Sequence, residues 1–134
     1  MAQVNQIAGT FLLDIPVHNY STTTDLAEGV AVIPDTANPG GANTAMGVVL
    51  PASNAKPFGF LVSKIPFGKT GLCRVYGIAS AVASGTLHVG DIVMTDSAGA
   101  VLAQTTGLAQ IGIAVSEAVA TDRVAVLIDR AKNA

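Results

Sequence analysis

Ser63 to Thr70, SKIPFGKT, ends in the Gly-Lys-Thr of a phosphate-binding loop. In such a loop backbone N–H groups surround a nucleotide's phosphates while the lysine and threonine reach phosphate and magnesium. Val124 to Asp129, VAVLID, has the form of the apolar strand whose terminal aspartate holds that magnesium. Three features oppose the pairing. Ser63 stands where the loop needs its first glycine, Pro66 stiffens the backbone, and Gly71 to Gly77, GLCRVYG, favours a strand. The anion needs a helix N-terminus at that place. Gly68-Lys69-Thr70-Gly71 therefore reads as a hairpin turn.

Other chemistry is sparser. His18 and His88 are the two histidines, with Asp14, Asp91 and Asp96 near them in sequence, so a Ser-His-Asp set can be drawn on paper. No G-x-S-x-G elbow accompanies it. The single cysteine, Cys73, lies in the apolar run Leu72 to Val75 and reads as a buried thiol. No H-x-x-x-H or cysteine pair marks a metal site, and Asp91 and Asp96 lack calcium-loop spacing. The sequence predicts no enzyme, no catalytic residue, no metal and no cofactor. The rival reading is a small-ligand-binding or catalytic barrel with His88, Asp91 and Asp96 near one rim.

The elements that would carry any function are short. Val75-Tyr76 and Ile78-Ala79 form an apolar run that stops at Ala83-Ser84-Gly85, and Ile92-Val93-Met94 form a second that stops at Asp96 to Gly99. Gly85 and Gly99 are expected to need positive φ or close backbone approach, and Gly90-Asp91 supplies another turn. Before them come Gly29 to Ile33, the loop Asp35 to Asn43, Gly47 to Leu50 and Phe58 to Val62; after them come Ile111 to Val115 and Val124 to Ile128. Frequent Gly and Pro punctuation predicts an all-β fold, a small β-barrel or β-sandwich. A short helix over Asn43 to Val49 stays open as an alternative. Gly77-Ile78-Ala79 and Gly112-Ile113-Ala114 echo each other, which two strands in similar environments explain without a repeat.

Residues 1 to 24 read as an extended N-terminal arm ahead of a β-rich domain over 25 to 134. Pro16 and the Ser21 to Thr24 run weaken a helix, while Phe11, Leu12, Leu13, Ile15 and Val17 supply apolar anchors. Such an arm can add a strand to another chain's sheet, or it can be the domain's own first strand. Both readings stay open.

Composition narrows the partners. Hydrophobic residues make up 50% of the 134, aromatics 4% and charged residues 12%. The charged share is about half that of an ordinary soluble domain, and the mean hydropathy is +0.53. Part of the surface is expected to be covered. The uncharged stretches 36 to 55 and 97 to 116 are too broken by polar residues to span a membrane. The N-terminus has no positive charge before Lys56, so no secretory signal is expected and synthesis in the cytoplasm fits. A net charge of −2 with scattered basic residues offers no surface for direct nucleic-acid binding. Another protein is the remaining cover.

The succession PFGFLVSKIPFGKTGLCRVYGIASAV, SGTLHVGDIVMTDSAGAVL and IGIAVSEAVATDRVAVLI resembles the capsid decoration, or cement, proteins of tailed bacteriophages over roughly residues 25 to 130. Its characteristic parts are Val89-Gly90-Asp91-Ile92-Val93, the turn Asp96 to Gly99, and the closing IGIAVS and VAVLI. The resemblance implies a structural virion protein on the capsid exterior. It would stabilise the head by clamping major capsid protein subunits of the expanded shell, as a homotrimer at threefold or quasi-threefold positions. An N-terminal arm would make the capsid contact, which places it on Phe11, Leu12, Leu13, Ile15 and Val17, with the loop Asp35 to Asn43 as a second candidate. Deleting residues 2 to 17 is then expected to abolish head binding while leaving the β domain folded. Another virion module, in a tail or fibre base, is the alternative within the same class.

Overall fold

A computed structural model describes residues 12–52, 56–104 and 110–128, and within them the chain is all β, with no helix. Ten strands follow in order: β1 Leu13–His18, β2 Ala31–Pro34, β3 Met46–Val49, β4 Gly59–Leu61, β5 Thr70–Tyr76, β6 Ile78–Val82, β7 Ile92–Thr95, β8 Val101–Ala103, β9 Gly112–Ala114 and β10 Arg123–Ile128. The first five close into a barrel in the order β1-β3-β2-β4-β5. Closure comes from β1, which runs parallel to β3 through Val17 and Met46 and antiparallel to β5 along its whole length. The last five form a sheet in the order β6-β10-β9-β7-β8. A single parallel bridge from Ala83 to Val101 joins its two edges.

The two halves are copies of one design. Read from its third strand, the first barrel runs β3-β2-β4-β5-β1, and the second runs β8-β7-β9-β10-β6. The hydrogen bonds match position by position. Leu26 and Ile65 exchange two backbone bonds, as do Leu87 and Ala118. Gly29 N–H donates to Leu61 O where Gly90 N–H donates to Ala114 O, and Phe58 N–H donates to Val32 O where Ile111 N–H donates to Val93 O. The turns match too. Asp35-Thr36-Ala37-Asn38 and Asp96-Ser97-Ala98-Gly99 each have an aspartate carboxylate that accepts the N–H two residues on, from Ala37 and from Ala98.

This alignment pairs GFLVS at Gly59 with GIAVS at Gly112, so a repeat is present where the sequence reading inferred none. The echo between Gly77 and Gly112 compared β6 with β9, which occupy different places in the barrel. The glycines at the true match have a shared physical cause. A Cβ at Gly59 would run into the Arg74 carbonyl, and one at Gly112 into the Leu127 carbonyl, the equivalent atom of the neighbouring strand.

Each barrel fills its interior from the inward face of its strands. Val17, Val32, Val48, Leu61, Ile65 and Cys73 meet in the first, and Leu87, Val93, Val101, Ile111, Val124 and Val126 in the second. Ala31 and Phe60 point out of the first barrel and are buried in the second barrel's cluster, so they join the two.

Several local expectations shift. Met46 to Val49 is strand and not helix. The turn before β5 is Pro66 to Lys69, closed by Lys69 N–H donating to Pro66 O, with Gly68 at φ 75°; Thr70 and Gly71 already belong to the strand. Gly99 has φ 80° and lies against Ala31, but Gly85 has neither positive φ nor a close neighbour. Ser84 instead anchors that bend by donating to Val101 O.

The repeat yields two stability predictions. Thr121, at φ 72°, occupies the place that Gly68 holds in the first barrel, and a β-branched residue is strained there. Thr121→Gly is expected to raise the unfolding free energy by about 1 kcal/mol in urea titration. No gain would mean that the turn stores no strain. Gly112→Ala should lower it by about 1–3 kcal/mol, because the added methyl would run into the Leu127 backbone carbonyl and crowd Val126 Cγ1; an unchanged midpoint would contradict the close approach.

Candidate functional site

The residues assigned to capsid contact fall in three environments. Phe11 lies outside the described residues. Leu12 and Leu13 are solvent-exposed at 38% and 52%. Ile15 packs against the first barrel's core and Val17 is fully buried in it. Residues 13 to 18 are thus the domain's own first strand, hydrogen-bonded on both sides, and deleting 2 to 17 would remove a wall of the barrel. A deletion that keeps β1 intact has to stop before Leu13.

The second candidate, Asp35 to Asn43, lies next to this strand. After the shared Asp-x-Ala turn the first barrel carries an extra segment, Pro39 to Met46, that the second lacks, and chain direction reverses through Gly40 at φ 78° and paired bonds between Gly41 and Thr44. Tyr20 donates its hydroxyl to Ala45 O at 3.2 Å, and a shallow groove separates the segment from Pro16 and Thr70. The strand and the loop therefore form one edge of the molecule.

A third surface had no counterpart in the sequence reading. Ile92 pairs with Ile113, Ile113 with Leu127 and Leu127 with Ile78 across β7, β9, β10 and β6. Directly opposed residues place their side chains about 5 Å apart on one face. Ile92, Leu127 and Ile78 are 42–48% exposed, so the row is an apolar ridge in water. The outward positions of β10 and β6 alternate with buried ones, and that alternation is the signal that could have found it.

The residues with chemical potential are engaged separately. Gly68-Lys69-Thr70 leads into β5, and no helix follows to hold a phosphate. Thr70 Oγ1 lies 2.8 Å from His18 Nδ1. Asp14, instead of facing His18, takes a two-point contact from Arg74 at 2.7 and 3.0 Å, which holds its carboxyl below the ordinary range. Asp96 caps its own turn, accepting from Ala98 and Ala100. Asp91 accepts the His88 backbone N–H, so these two share a turn that does not include Asp96. Among the described residues no group of three His, Cys, Asp or Glu could hold a metal. Cys73 is buried in the first barrel.

His88 Nδ1 lies 2.9 Å from Glu117 Oε1, and Val89 N–H donates to Glu117 Oε2. The bond to Glu117 raises the His88 pKa above 6.5, and the Val89 N–H together with His88 lowers that of Glu117. A raised histidine pKa contributes stability that is full below about pH 6.5 and fades as pH climbs through the folded value. Both groups are exposed, so the contribution is small. In an NMR titration His88 should titrate above 6.5, and Glu117→Gln should return it toward 6.5. The same midpoint in both proteins would show that the pair does not form in solution.

No protein-family model matches the sequence, and no curated protein does. Among solved structures the chain is similar to the crystal structure of the head fiber gp8.5 N base in bacteriophage phi29. The TM-score is 0.69 at 18% identity, over 89% of this chain and 95% of that one, so the two share a fold along nearly their full lengths.

Proposed function

We propose that this chain is a structural protein of a tailed-phage virion that sits on the outside of the expanded head and stabilises contacts between major capsid protein subunits, as trimers at threefold or quasi-threefold positions. The observation that carries the reading is the fold likeness to a head fiber base, which coincides with the resemblance of residues 25 to 130 to decoration proteins. Low charge and an apolar surface fit a protein whose environment is other protein. Leu12 and Leu13 are the exposed capsid anchors, next to the chain that precedes them, and the loop Asp35 to Asn43 is a second contact. A protein that binds only the assembled, expanded lattice stabilises it by mass action, and many copies acting together multiply weak contacts.

The same likeness favours a second reading in the same class, a fibre base that occupies the head without reinforcing it. The two differ in heat resistance. Purified protein should co-sediment saturably with expanded, undecorated heads and not with unexpanded procapsids, and decorated heads should burst at a higher temperature. Binding without that gain would select the fibre base, and binding to neither particle would overturn both. Leu12→Asp with Leu13→Asp should weaken head binding by about tenfold or more, since each leucine loses apolar burial. Undiminished affinity would remove the arm from the interface.

A further inference from the structure

The row Ile92, Ile113, Leu127 and Ile78 continues beyond its own sheet. Register sets Leu13 opposite Tyr76 across β1 and β5, and both are 52% exposed. Only Gly77 separates Tyr76 from Ile78, a span of about 7 Å at most. Exposed apolar side chains therefore run from the start of β1, beside Leu12, onto the second barrel and across four of its strands, about 14 Å further. None of these positions carries a charge.

The duplicated fold shows what kind of surface meets such a row. Ala31 and Phe60 hold in the first barrel the places of Ile92 and Ile113, and they are 0% and 1% exposed because protein lies on them. That cover belongs to the second barrel. Ala79 and Ala81 of β6 share the buried cluster with them, and the Gly99 carbonyl accepts the Ala31 N–H at 2.8 Å. Other occupants fit the exposed row poorly. A nucleic-acid backbone or an anionic lipid headgroup needs free cations; the row has none, and Arg74, which donates to Ile78 O, is already paired with Asp14. A small ligand needs a concave site, whereas outward side chains on a barrel wall form a convex one. A protein surface remains.

We infer that the row Ile92, Ile113, Leu127 and Ile78 is a further head-contact surface, continuous with Leu12 and Leu13, and that it seats on an apolar, uncharged patch of the major capsid protein. The inference rests on the head-binding reading and adds the second barrel to an interface otherwise confined to β1 and the Asp35 to Asn43 loop of the first. A contiguous apolar band of this extent is what a protein–protein contact leaves on a surface. Its margin is charged, as at an interface, with Asp14 and Arg74 next to Leu13 and Tyr76. Anchors on both barrels of one chain act together, so contacts that are weak singly hold the head jointly.

The test uses the full chain and expanded, undecorated heads. A photo-crosslinking benzoylphenylalanine in place of Ile113 should, on illumination of decorated heads, link this chain to the major capsid protein. The same group in place of Phe67, which is exposed in the turn before β5 and so at the far end of that strand from Tyr76, should not. Ile92→Lys with Leu127→Lys, both at positions 42% exposed, should weaken head binding by about tenfold or more with circular dichroism and oligomeric mass unchanged. Ile92→Leu with Leu127→Ile, which keep the hydrocarbon, should bind as the wild type does. If the lysine pair disturbs the fold, the cross-link alone decides. Undiminished binding by a folded lysine variant would overturn the inference and leave the head-binding reading intact. So would a group at position 113 that links only to a second copy of this chain, or to nothing on the head. Failure of the wild type to bind heads at all would overturn that reading, and this inference with it.

Discussion

The structure depends on the joint at which Phe60 and Ala31 leave the first barrel and enter the core of the second. A five-strand barrel of this length buries only a modest share of its surface and is marginal alone. The chain has four phenylalanines, and it places one of them where neither barrel could bury it unaided. Full burial of such a side chain contributes roughly 1.5–3 kcal/mol. Around it the rim is polar: Arg123 reaches Glu28 at 3.6 Å and donates to Ser80 O, while Arg74 holds Asp14. The joint therefore has a dry centre and a charged margin, the anatomy of an interface between separate proteins.

Much of this was readable in the chain. Gly and Pro punctuation between short apolar runs marked an all-β fold, and Ile92 to Met94, Ile111 to Val115 and Val124 to Ile128 each became a strand or contained one. The duplication was hidden because a barrel asks for a pattern and not for identities. Ile65 and Leu61 are matched by Ala118 and Ala114, so core volume moved between positions while burial stayed. What persisted is turn chemistry, in which Asp35 and Asp96 close the same bend and Gly68 and Thr121 share one backbone conformation. Identical requirements on φ outlast requirements on side-chain size.

The interaction surface was less legible than the fold. Leu12 and Leu13 were found as exposed apolar residues, yet Val17, two turns of the alternation further on, faces inward. Along β1 the neighbours Leu13 and Asp14 meet β5 at a register shift, so alternation read from sequence loses its phase there. The row on β7, β9, β10 and β6 was invisible for another reason. Its members lie far apart in sequence, and only register brings them into line.

The low charge noted at the outset now has a location. A solvent-facing row across a sheet ordinarily carries charged or polar residues, and in this protein the row with Arg74 and Asp14, both still partly exposed, is the one that the second barrel partly covers. Its duplicate in open water carries Ile78 and Leu127. Within one chain the joint is held by covalent connection as well as by contact, so a rim ion pair that contributes little suffices beside Phe60.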